Sequence, residues 1–210
     1  MTDLRISVAG SRPDPHAAVP TILLRLRIDV APGARVHAMV LRAQVRIEPQ
    51  RRRYSAEEQE RLLELFGEVP RWGESLRPFL WAHVSTTVAE FSETTEVDLA
   101  IPCTYDFEVA GARYLHSIDD GEIPLVLLFS GTIFGFDDGA LVVQPVPWHV
   151  EAEHRLPVAV WRATMDAFFP NSGWIRLPRP TIDALARYKA TRALTSWHDT
   201  IDRLLKEAGA

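Results

Sequence analysis

Few residues in this chain have a type and spacing that could carry a reaction. Ser130, in the run LLFSGTIFG, would be a nucleophile if it sat on a sharp strand-to-helix turn. Such an elbow takes glycine two positions before and two after the serine, because the turn leaves no room for side chains. Leu128 and Thr132 hold those positions, and the residues that follow read as a second strand. Ser130 and Gly131 are therefore expected to be small residues that admit a close neighbour in a buried central strand. Cys103 is the one thiol. A reactive thiolate needs partial exposure and a nearby cation. Cys103 instead falls between Ile101 and Tyr105 on an apolar strand face, where it is expected to pack as a small hydrophobe.

Metal chemistry has a single foothold, the stretch WHVEAEHRLP. In an extended chain His149, Glu151 and Glu153 share a face and offer one imidazole and two carboxylates, while His154 points the other way. No H-x-x-x-H or C-x-x-C pair completes the set. These three are weak candidate ligands, and a metal-dependent hydrolase around His149 and Glu151 is the enzymatic alternative. Asp106, Asp119 and Asp120 could do acid–base work only if strands brought them together, which spacing leaves open. Arg51, Arg52 and Arg53, with Arg42 and Arg46 upstream, form the basic concentration, but Glu57, Glu58 and Glu60 follow at once. That pattern reads as a solvated hairpin end leading into a helix. Neither G-x-x-x-x-G-K-[ST] nor a strand followed by G-x-G-x-x-G is present, so nucleotide chemistry is unsupported.

With no catalytic set to assign and no cofactor expected, the reading favours a non-enzymatic accessory protein that binds a protein partner. Of six tryptophans, Trp72, Trp148 and Trp174 lie in loops beside Arg, Pro or Gly. Aromatic residues in such places anchor interfaces, so these three are the candidate partner-binding residues.

Hydropathy marks out the elements that must position these groups. In TILLRLRIDV, Ile22, Leu24, Leu26, Ile28 and Val30 alternate with Leu23, Arg25, Arg27 and Asp29, the period of a half-buried strand. After Ala31-Pro32-Gly33 a second strand follows, with Val36, Ala38 and Val40 giving way to Leu41, Ala43, Val45 and Ile47. A shift of parity suggests a β-bulge, and the two strands read as a hairpin. Ser55 and Glu58 form a capping box for a helix that Gly67 ends. Strand character returns at FLWAHVSTTVAEF, and in TEVDLAIPCTYDFEV every odd position from Val97 to Val109 is apolar or nearly so. Residues 110–118 lean to a short helical turn. A strand from Ile123 to Phe136 is followed by Asp137-Asp138-Gly139, a hairpin turn. ALVVQPVPW then pairs back at a sheet edge, since Pro145 and Pro147 lack donors. From Pro157 the pattern is helical: PVAVWRATMDAFF, then helices over Thr181–Ala193 and Ser196–Lys206.

Together these predict one α+β domain over residues 1–210. It would be mainly antiparallel and sandwich-like, β-rich over 1–155 with a helical insertion at 55–67 and a helical part over 157–210. At 210 residues, 47% hydrophobic and 24% charged, the chain can bury an ample core without staples. One cysteine forms no internal disulfide, which suits a reducing cytoplasm. The N-terminus lacks the apolar core of a signal peptide. No apolar run nears the ~18 residues of a membrane span, and a net charge of −5 gives no drive toward nucleic acid.

The segments RWGESL, EVDLAIPCTYDFEVAGARYLHSIDDGEIPLVLLFSGTIF and PNSGWIRL resemble an actinobacterial family of domains of unknown function, over essentially the whole chain. That resemblance implies an accessory or assembly role, since its members tend to be encoded near uptake [NiFe]-hydrogenase genes; it carries no catalytic motif. A fainter likeness of layout, from Phe129 through the segment LPVAVWRATMDAFFPNSGWIRLPRPTIDAL, is similar to SecB-type export chaperones. It implies polypeptide binding as the alternative role.

Overall fold

The computed structural model describes residues 4–104, 106, 109–137, 140–170 and 176–209. The chain forms two compact units, residues 1–173 and 174–210.

In the first unit, three strands make one antiparallel sheet in the order β1 (Leu4–Pro13), β2 (Thr21–Val30) and, from further along the chain, the strand Thr94–Pro102. The short β3 (Arg35–Val36) follows β2, and then comes β4 (Ala38–Ile47). A 3-10 turn over Pro49–Arg51 leads into α1 (Ala56–Phe66), and α2 (Trp72–Ser75) precedes β5 (Phe79–Val88). The short β6 (Phe91–Ser92) and then β7 (Thr94–Pro102) come next. After α3 (Ala110–His116) run β8 (Glu122–Asp137), β9 (Ala140–Pro145), β10 (Glu151–Pro157) and α4 (Val158–Phe168). The second sheet has the order β10-β8-β4-β5, with β9 paired to the later half of β8. The second unit is a pair of helices, α5 (Arg179–Thr191) and α6 (Trp197–Ala208).

The expected β2–β4 hairpin does not form. The two strands belong to different sheets, and β3 pairs with β6 where the chain crosses between them. Charge explains the choice. Both β2 and β4 carry arginines on their polar faces, and like charges set opposite each other destabilise a strand pair. β7 instead places Asp98 opposite Arg25 and Glu96 opposite Arg27, with Arg25 Nε 2.6 Å from Asp98 Oδ1. β1, which carried no expectation, adds a second edge partner: Arg12 also donates to Asp98, at 2.8 Å. Its Leu4 and Ile6 alternate inward, and its register slips between Val8 and Gly10.

The parity shift falls earlier than the sequence suggested. Val36 is buried in β3, His37 and Ala38 intervene, and from Met39 each odd residue of β4 points to the core. A separate bulge lies in β5, where Val45 pairs with Ala82 and Arg46 with Leu80, leaving Trp81 as the extra residue. β7 stops at Pro102, short of the expected run to Val109. Tyr105, Phe107 and Glu108 lie outside the described residues.

The core sits between the two sheets. Ile22, Leu24, Leu26 and Ile28 of β2 face Met39, Leu41, Val45 and Ile47 of β4 with Leu125 and Leu127 of β8, all at 1% exposure or less. At about 1.5–3 kcal/mol for each fully buried side chain, this stripe is the main drive to fold. Helix α1 starts as its sequence predicts: Ser55 Oγ accepts from Glu58 N–H while Glu58 accepts from Ser55 N–H. Leu62 is its fully buried residue, and Gly67, at φ 72°, ends it.

Candidate functional site

Ser130 lies in the central strand of its sheet, as expected, but not in the core. It is exposed, opposite Arg42 on the outer face, because odd residues of β8 point inward and even ones outward. The close approach belongs to Gly131 alone. At φ 145°, a Cβ there would overlap the carbonyl oxygen of Val40 on the neighbouring strand. Cys103 is buried, its backbone N–H donating to Pro20 O at 2.7 Å and its Sγ to Ile101 O at 3.4 Å. Burial pushes the thiol up to about 12, so at neutral pH it stays protonated and unreactive.

The carboxylates serve structure. Asp119 receives Arg61 and Arg162, and these cations hold its carboxyl below the usual range. Asp120 accepts from Gly121 N–H at 2.6 Å in the turn before β8. Asp106 N–H donates to Thr104 Oγ1.

His149, Glu151 and Glu153 are not brought together as a ligand set. His149 lies in the turn before β10, its ring 5.8 Å from that of Trp148, and Glu153 pairs with Arg51 at 2.6 Å. Among the described residues no three His, Cys, Asp or Glu side chains form a group that could hold a metal ion. His154 faces the inner side of β10 opposite Leu125, as alternation requires, and its Nε2 is enclosed without a hydrogen-bond partner among the described residues. Burial lowers its pKa.

The three candidate tryptophans separate. Trp72 is half-buried against the core: its ring meets Tyr54 and Phe66 edge-on, and its Nε1 donates to Gly67 O at 2.8 Å. The short helix after Pro70 turns it inward, which loop position alone did not show. Trp148 is 92% exposed in the turn after β9. Trp174 lies outside the described residues.

A feature that reading the tryptophans missed lies on the ribbon made by β8 and β9. Phe134 pairs with Val143 and Phe136 with Leu141, so all four side chains fall on the outer face. Phe136, Leu141 and Val143 are 59%, 57% and 56% exposed, and Val40, opposite Thr132, extends the apolar area. β4 begins at Ala38 opposite Phe134, so Phe136 and Leu141 pair beyond its reach. β9 pairs with β8 on one side and, among the described residues, with no strand on the other. An apolar edge with open backbone groups is a template for another chain, and Pro145 limits its length. Alternation in ALVVQP was the signal available in sequence, but polar-out, apolar-in reasoning hides a strand whose outward residues are apolar.

Fold and surface together define an α+β protein with two main antiparallel sheets around one core and an apolar edge ribbon. The chain belongs to DUF6084, a family of unknown function, matched over residues 1–210. No curated protein matches the sequence. Among solved structures, the Se-Met-labelled β-glucosidase from Kluyveromyces marxianus is similar at 10% identity, over 74% of this chain and 15% of that one, with a TM-score of 0.26. The same enzyme in complex with glucose gives the same figures. Overlap so loose carries no argument. No helix among the described residues is long and apolar enough to cross a membrane.

Proposed function

We propose that this chain is a non-catalytic accessory protein that binds a protein partner, and that the β8–β9 ribbon is the binding surface. The observation that carries the reading is the outer face of that ribbon. It holds three large apolar side chains, each more than half exposed, in adjacent cross-strand positions. Soluble proteins rarely keep contiguous apolar surface without a use for it. The partner would add a strand to β9 while its side chains cover Phe136, Leu141 and Val143, a mode in which main-chain hydrogen bonds give affinity and side chains give selectivity. The resemblance to chains encoded near [NiFe]-hydrogenase genes names the first partners to test, a hydrogenase subunit and its maturation factors. Capture of extended polypeptide, as by SecB-type chaperones, is the second reading, and the same open edge favours it.

The test compares the native protein with Leu141→Asp/Val143→Asp against purified hydrogenase subunits, folded and urea-unfolded. Binding of the folded subunit by the native protein and its loss in the variant, with an unchanged melting temperature, is the expected result. Binding of only the unfolded subunit would favour the chaperone reading. Equal binding by both proteins would remove the ribbon from the interface.

A further inference from the structure

We infer that a cleft at the other end of β4 is a binding site for a small ligand carrying more than one phosphate group. Its volume is about 630 Å³, and Gln50, Arg51, Arg52, Arg53, Glu122 and Arg155 line it. Of the four guanidinium groups, Arg51 is paired with Glu153 and Glu48 and Arg52 with Glu58, which leaves Arg53 and Arg155 beside the one carboxylate of the lining, Glu122.

Three elements assemble it. The 3-10 turn Pro49–Arg51 ends β4 and presents Arg51 to Arg53, and Glu48 N–H donates to Pro124 O, tying that turn to the start of β8. β10 pairs Arg155 with Pro124, on the outward side of the strand. Arg155 thus joins the arginine run from about a hundred residues away, which sequence spacing could not reveal.

The four cations are not equivalent. Arg51 pairs with Glu153 at 2.6 Å and with Glu48 at 3.6 Å. Arg52 is the fixed group. Its side chain is 10% exposed, its Nη2 donates to Glu58 and to Asp120 O, and its guanidinium lies 4.9 Å from the centre of the Tyr54 ring. Its Nη1 is nonetheless buried without an acceptor among the described residues. A buried donor left unmatched costs about 1–3 kcal/mol, and a bound ion or water is one way such a group is satisfied. Arg53 and Arg155 are exposed and, among the described residues, have no carboxylate partner. They are the charges free to meet a ligand, and they stand on separate elements of a cleft far larger than one phosphate. Guanidinium forks match phosphate oxygens in pairs, so two unpaired forks suit linked phosphate groups.

Calorimetric titration of the full chain with inorganic pyrophosphate tests the site, with orthophosphate and citrate as comparators. The expected result is one bound pyrophosphate per chain, weakened at least tenfold by Arg53→Ala and by Arg155→Ala. Both side chains are exposed, so the variants should melt as the native protein does. Arg35→Ala, on β3 at the far end of β4, should bind pyrophosphate unchanged. Absence of binding at millimolar pyrophosphate, or binding that both cleft variants retain, would overturn the proposal. So would orthophosphate or citrate binding as tightly as pyrophosphate, since either would reduce the cleft to a general anion patch.

Discussion

Arg52 and Glu58 form an ion pair inside the protein, with Nη2 2.9 Å from Oε1 and side chains only 10% and 5% exposed. The same carboxylate accepts the N–H of Ser55 and the N–H of Asp119, each at 3.0 Å. One side chain thus ties the start of α1 to the loop before it and to the turn that opens β8. Removing one partner of a buried pair leaves the other charge uncompensated, which costs about 3–5 kcal/mol. Glu58→Ala should lose stability of that order in urea unfolding. The double variant Arg52→Met/Glu58→Leu should lose less, because no charge is stranded. Equal losses would show that packing, not charge, holds this junction.

Three adjacent positions in β8 should separate by mechanism. Phe129, 3% exposed, fills the core, and its alanine variant should cost on the order of 3–5 kcal/mol. Gly131→Ala forces a Cβ toward Val40 O at φ 145°, and should cost about 2 kcal/mol or more. Ser130→Ala, on the exposed face, should change stability by about 0.5 kcal/mol or less. Denaturant midpoints of the three variants check the order. A fluorophosphonate probe should leave Ser130 untouched; labelling that Ser130→Ala abolishes would reopen a hydrolase.

Cys103 should react slowly with a thiol reagent in the native protein and fast once the chain unfolds. Burial raises its pKa to about 12, so at pH 8 little thiolate exists, and the sheet must open to expose it. Native and urea-unfolded rates measured side by side are the check. Comparable rates would remove Cys103 from the core.

His154 should make stability fall between neutral pH and mildly acid pH. Its folded pKa is lowered by burial, with Glu122 opposing weakly, against about 6.5 in the unfolded chain. Below that value the unfolded chain takes up a proton that the folded chain resists. Its stability therefore declines as pH drops toward the folded pKa, and is unaffected by this group above about 6.5. Urea midpoints at pH 7.5 and 5.5 should differ, and His154→Leu should narrow the difference. A difference unchanged in His154→Leu would assign it to other groups.

The elements of this protein were legible in its sequence where the signal is local. The capping box at Ser55 and Glu58, the glycine stop at Gly67, the period of β2 and the long apolar run of β8 depend on neighbours a few residues away. So does the burial of Cys103, which continues the parity of β7 one residue past its end. Tertiary structure decided what lies opposite what. β2 took β7, where Asp98 and Glu96 both pair with Arg25, a choice that hairpin proximity concealed. Trp72 turned inward onto Tyr54 and Phe66, while Phe136 and Leu141 were left facing solvent. Arg155 met Arg53 across a cleft. Local propensity and period are written in consecutive residues, whereas a surface is made of residues distant in sequence. Their meeting depends on strand order and register, which the balance of charges and packing across the whole sheet determines.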